Sequence, residues 1–191
     1  MHIKLSRAAL FFVTASLIFT AVPPAIAENL SPIEPRYALA TNLANSYSPG
    51  NDIAVYQLSA AALYDYDAIW PHAAPDSLRF KVELNAGIAS AEHNRAIVSA
   101  NMLAVYLVES LTTKVFTPYL EAGIGVIYTD YQVEDQGLRF NFNPQLGIGT
   151  EIKADNSTYF IATRLHHISN GGLHHDNRGI NSVLLQLGLF F

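Results

Sequence analysis

There is no cysteine among the 191 residues. That excludes a disulfide framework, thiol catalysis and thiolate metal ligation. Charge is also scarce. Asp, Glu, Lys and Arg make up 14% of the chain against 50% apolar residues, too little charge for an ordinary soluble surface. The formal charge is −5, and an acidic chain gives no reason to expect nucleic acid as a partner. Beyond residue 27, no apolar run approaches the roughly 20 residues of a membrane helix. The pattern G-x-S-x-G is missing too, which argues against an α/β-hydrolase.

What is present begins with a leader. "MHIKLSR" carries Lys4 and Arg7, "AALFFVTASLIFTAV" is apolar, and "PPAIA" ends on small residues at Ala25 and Ala27. This predicts a secretory signal peptide over 1–27, cleaved after Ala27. A retained anchor fits less well, because the apolar run is short and a small-residue site follows it. Removing Lys4 and Arg7 takes the charge from −5 to −7 and leaves 164 residues, enough for one domain over 28–191. An exported, apolar chain without cysteine or spanning helices suggests a transmembrane β-barrel.

Such a barrel needs strands of about ten residues that alternate apolar and polar. Leu78, Phe80, Val82, Leu84, Ala86 and Ile88 alternate with Arg79, Lys81, Glu83, Asn85 and Gly87. Leu138, Phe140, Phe142, Pro144, Leu146, Ile148 and Ile152 alternate with Arg139, Asn141, Asn143, Gln145, Gly147, Gly149 and Glu151. Leu120, Ala122, Ile124, Val126 and Tyr128 do the same against Glu121, Gly123, Gly125 and Ile127. Residues 97–108 are apolar on both faces, so pattern alone does not orient them. The count is about eight strands: 36–45, 53–66, 78–91, 96–109, 115–130, 138–153, 157–169 and 180–191. Their connections are rich in Ser, Pro, Gly, Asn and Asp.

The expected fold is therefore all-β, an eight-stranded antiparallel barrel of the bacterial outer membrane. Eight strands leave an interior filled by side chains, not a channel. Arg79, Lys81, Glu83, Glu121, Arg139, Glu151 and Arg164 are expected to pair inside. Tyr64, Tyr66, Trp70, Tyr106, Tyr128 and Tyr131 lie near strand ends, where aromatic girdles belong. The last strand alternates Val183, Leu185, Leu187, Leu189 and Phe191, and it resembles the terminal signal of outer-membrane proteins.

With both termini periplasmic, the connection between strands seven and eight is extracellular. Tyr159, Ile161, Thr163 and Leu165 form the longer apolar face of strand seven, while Arg164 is on the other, so odd residues should face lipid. His167, Ser169 and Asn181 then point outward at the height of the outer leaflet. A histidine and a serine two apart share one strand face, roughly 6–7 Å apart. The pair reads as a nucleophile beside a base. Read alone, it is more simply two polar residues closing a strand.

"HHISNGGLHHDNRGINSVLLQLGLFF" resembles the C-terminal hairpin of the PagL-type lipid A 3-O-deacylases. "AALYDYDAIW" at 61–70, "TPYLEAGIGV" at 117–126 and "FNFNPQLGIGTEI" at 140–152 fit in the same order. The resemblance implies an outer-membrane serine esterase that removes the 3-hydroxyacyl chain at the 3 position of lipid A. It implies Ser169 as nucleophile and His167 as base. Asn177, with the backbone N–H near Gly171, would stabilise the oxyanion. The family's acid, often a glutamate, falls at Asn181. This is a departure: an amide can orient the imidazole but supplies no negative charge. Asp176, in the loop, is the other candidate orienter. No cofactor is implied. Lipid A of the outer leaflet is the expected partner, with a homodimer as the protein–protein option.

Other readings remain. A noncatalytic structural or adhesin-like barrel is the alternative, and Asn181 is the feature that supports it. Zinc is the other use for His166, His167, His174 and His175. Adjacent strand residues face opposite sides, however, and His174 and His175 read as solvated loop residues, so no metal is assigned. Glu92, His93, Asn94 and Arg95 read as an exposed outer loop. Glu134 and Asp135 lie in the next outer loop, where acidic residues are usually solvated.

Overall fold

The computed structural model describes residues 34–50 and 52–191. The expected leader at 1–27 lies outside them. The strands are β1 (Arg36–Ser48), β2 (Ala54–Asp65), β3 (Leu78–Ser90), β4 (Asn94–Leu107), β5 (Phe116–Thr129), β6 (Phe140–Phe142), β7 (Gln145–Ala154), β8 (Ser157–Ile168) and β9 (Ile180–Phe190). Each pairs antiparallel with its neighbour, and β9 returns to β1 with Leu185 opposite Leu43. Among the described residues the sheet is closed and has no free edge.

Nine segments make eight barrel strands, because β6 and β7 are one strand in two pieces. Phe142 lies opposite Val126 and Gln145 opposite Gly123, so the register runs through unshifted. Pro144 falls in the gap, and with no N–H it cannot extend the ladder.

The barrel is inside out relative to a soluble protein. Leu58, Leu84, Met102, Val126, Leu146, Ile148 and Leu165 are exposed on the outer face. Asn42, Glu83, Asn101, Glu121, Arg164 and Gln186 are buried at 1% exposure or less. Residues 97–108, unreadable by pattern, resolve by register. Asn101 pairs with Glu83 and Ser99 with Asn85, so odd residues of β4 turn inward and Val98 and Met102 meet the outside.

The interior has three layers. The middle layer is a polar lattice. Arg164 donates to both Glu83 oxygens at 2.8 and 2.9 Å and to Glu121 through Nε at 2.6 Å. Lys81 also pairs with Glu121. Gln186 accepts from Arg164 at 2.8 Å and donates to Asn42 at 2.9 Å, and Asn42 donates to Asn85. Apolar clusters lie at either end, one around Ile53, Ile97, Ile127, Ile168 and Ile180, the other around Leu63, Val105 and Tyr119. The cavity beside Lys81, Glu83 and Gln186 measures about 10 Å³, room for one water and not a conduit.

The expected pairing therefore holds for Lys81, Glu83, Glu121 and Arg164, and Glu151 pairs with Arg36 at 2.9 Å. Arg79 lies beside Asp65, near the end of the barrel away from the β8–β9 connection. Arg139 is a correction. It precedes β6, is exposed, and pairs with Asp130 in the loop instead of the interior. Tyr131 is a second correction. It packs against the Ile53–Ile97–Ile127 cluster and does not join a girdle, and burial pushes its phenol up to about 12. At the opposite end a short helix, α1 (Tyr66–Ile69), follows β2 directly, so the expected second strand ends one residue early. Its Tyr66 and the following Trp70 stack edge-on against Phe80, which explains why this outward-facing residue is buried.

Candidate active site

The β8–β9 hairpin and its 169–179 connection bring the candidate residues together. In β8, Phe160, Ala162 and Arg164 are buried while Tyr159, Ile161 and Leu165 are exposed, so the odd face is the outer one. The two histidines divide accordingly. His166 Nδ1 meets Ser182 Oγ at 3.0 Å, and Ser182 is buried on the inner face. His167 pairs with Asn181 across the ladder and is half-buried on the outer face.

His167 Nδ1 lies 2.6 Å from Asn181 Oδ1. An amide oxygen only accepts, so Nδ1 is the donor in this pair, and in the neutral ring the lone pair is then on Nε2. That is the tautomer a general base on Nε2 requires. The residue is fixed in two further ways. Its backbone N–H donates to Pro144 O at 3.1 Å. Gly179 stands so close that a Cβ there would lie 2.6 Å from the imidazole Cε1.

Ser169 follows Ile168, whose side chain is buried in the interior cluster, so the serine falls on the outer side with His167. Its backbone bridges Phe142 in both directions, at 2.8 and 3.1 Å. No hydrogen bond joins its hydroxyl to His167 among the described residues. Catalytic bonds of this kind commonly tighten only around a substrate.

Asn170, which pattern reading passed over, organises the connection and is fully buried. Its Oδ1 accepts from Gly172 N–H at 2.9 Å, its Nδ2 donates to Asp176 O at 2.7 Å, and its N–H donates to Asn177 Oδ1 at 2.7 Å. With Oδ1 so engaged, Asn177 keeps its amide N–H groups for another partner. Gly171 and Gly172 have φ of +65° and +84°, values that favour glycine, and they turn the chain directly after Ser-Asn. The Asn-Gly-Gly run was a turn signal available in the sequence. Asp176, the other candidate orienter, is placed with His174 and His175 and not with His167.

A second loop braces this one. Gly137 N–H donates to Asp176 O and Arg178 N–H to Asp135 O, both at 2.8 Å, with Gln136 opposite Asn177. Beside the site, Phe140, Leu146, Leu165 and Val183 form an exposed apolar outer surface.

No curated protein matches the chain. Solved structures do. The crystal structure of the outer membrane enzyme PagL is similar with a TM-score of 0.55 at 24% identity, over 79% of this chain and 97% of that one. Neisserial surface protein A gives a TM-score of 0.58 at 17% identity, over 82% and 94%. At these identities both show the fold. The sequence itself matches the lipid A 3-O-deacylase (PagL) family over residues 57–190, more than half its length. The chain is thus an outer-membrane β-barrel that belongs to the lipid A 3-O-deacylase (PagL) family.

Proposed function

We propose that this protein is a serine esterase that hydrolyses the ester-linked 3-hydroxyacyl chain at the 3 position of lipid A. The observation that carries the reading is the 2.6 Å bond between His167 Nδ1 and Asn181 Oδ1, two residues from Ser169 on the outer face of a family barrel. With the β8–β9 connection at the cell surface, this face meets the outer leaflet, where lipid A resides. The ester reaches the site sideways, and its acyl chains stay against Leu146, Leu165 and Val183.

His167 Nε2 takes the Ser169 proton as Oγ attacks the ester carbonyl. The Asn177 amide and the Gly171 backbone N–H donate to the oxyanion. Collapse of the tetrahedral intermediate breaks the ester C–O bond, and the sugar oxygen leaves with the proton from His167. Water, deprotonated by the same imidazole, then attacks the acyl-serine and releases the 3-hydroxy fatty acid. Asn181 holds the ring in the required tautomer throughout. Lacking charge, it does less for the imidazolium than a carboxylate would.

That lack of charge favours a second reading, a noncatalytic barrel. Mass spectrometry of lipid A from Gram-negative cells expressing the parent or Ser169→Ala separates the two. Loss of one 3-hydroxyacyl chain with the parent alone is expected. Unchanged lipid A beside a folded barrel favours the noncatalytic reading, and equal loss with both chains removes Ser169 as nucleophile.

A further inference from the structure

The 169–179 connection holds a second cluster, one residue short of the oxyanion asparagine. His174, His175 and Asp176 each offer a ligand atom, and the three atoms lie within 4.8 Å of one another. His175 Nε2 is 3.0 Å from Asp176 Oδ1, His174 Nδ1 is 3.8 Å from Asp176 Oδ2, and the two imidazoles lie 4.3 Å apart between centroids. Ligands of a tetrahedral zinc ion, with bonds of about 2.0–2.1 Å to nitrogen and oxygen, stand roughly 3.3 Å apart. The widest separation among the three atoms, at most 4.8 Å, exceeds that spacing by no more than about 1.5 Å.

The backbone beneath is already ordered. Asp176 O accepts from both Gly137 N–H and Asn170 Nδ2, and His174 N–H leans on Asn170 Oδ1 at 3.4 Å. The opposite loop packs closely on the ring: a Cβ on Gly137 would sit 1.9 Å from His174 Nδ1, so only glycine fits beside it. We propose that His174, His175 and Asp176 form a site for a divalent transition metal of the zinc, nickel and copper class. Two imidazole nitrogens and one carboxylate oxygen suit those ions and not calcium or magnesium, which prefer all-oxygen shells. Three protein ligands leave a position for water. Binding through His174 Nδ1 exchanges the Asp176 N–H bond at 3.1 Å for the ion. A bound ion stiffens the segment leading into Asn177, which makes this a structural clip and not a participant in ester cleavage. The site stands on its own geometry and does not depend on the deacylase reading.

The test is a zinc titration of the mature chain, folded in detergent without a polyhistidine tag, in competition with a chromophoric chelator. The parent is expected to take up one equivalent. The His174→Ala/His175→Ala double variant should lose at least about tenfold in affinity, and His167→Ala should keep the parent's value. Asp176→Asn, which preserves the backbone bonds, should weaken binding as well. Heat-shifted gel mobility shows that each barrel is folded. The proposal is overturned by a folded parent that takes up no zinc, by equal affinity in the double variant, or by a loss that follows His167 instead.

Discussion

His167 Nδ1–H donates to Asn181 Oδ1 at 2.6 Å across the β8–β9 pair. The bond sets the imidazole tautomer without a charge. Asn181→Leu removes the acceptor, and 3-hydroxy fatty acid release from lipopolysaccharide in detergent should fall by about 10²-fold. Asn181→Glu adds the missing charge. In the serine-protease triad the reverse change, Asp to Asn, costs roughly 10⁴ in turnover. Turnover is expected to rise by about tenfold or more, provided the longer side chain reaches Nδ1. Equal rates for the parent and Asn181→Leu would remove Asn181 from the site.

Gly179 is set against the same ring. A Cβ at this position would approach the imidazole Cε1 to 2.6 Å, so Gly179→Ala must move either His167 or the hairpin. A shift near 1 Å at a reacting group can cost about 10²-fold. The expected variant is a folded barrel with deacylase activity reduced to that degree. Wild-type activity in Gly179→Ala would show that His167 has slack the geometry does not suggest.

Asn170 ties three parts of the connection together through Gly172, Asp176 and Asn177. Asn170→Ala should loosen the loop and leave the barrel intact. Two readouts are expected to move together: faster tryptic cleavage after Arg178, and lower activity by about tenfold or more from misplacement of Asn177, the proposed oxyanion donor. Unaltered cleavage would mean that the bracing from residues 135–137 holds the loop by itself.

Arg164 is fully buried and pairs with both Glu83 and Glu121. Arg164→Met leaves two carboxylates facing one Lys81. Removing one partner of a buried ionic group costs about 3–5 kcal/mol, and urea unfolding from lipid vesicles should report a loss of that size. Adding Glu83→Gln to Arg164→Met should recover part of it. A single variant as stable as the parent would show that the lattice relaxes or admits water.

The barrel was legible because lipid and side-chain packing impose opposite demands on the two faces of each strand. Lys81, Glu83, Glu121 and Arg164 sit on the inward face that period-two alternation assigned. Arg139 broke the pattern because the alternation of 138–153 runs past the start of β6, and a loop residue obeys no facing rule. Tyr131 broke it because an aromatic after a strand can cap the interior as readily as ring the outside.

Composition and alternation by themselves determined the class of fold, the strand count and the outward face of His167 and Ser169, since all three follow from a period of two. Three things needed the tertiary structure. The orientation of β4 came from its register against β3. The tautomer of His167 came from Asn181, fourteen residues away in sequence. The order of the 169–179 connection came from buried Asn170 and from residues 135–137 of another loop. Each depends on contacts between segments far apart along the chain, and local pattern carries no record of which segments will meet.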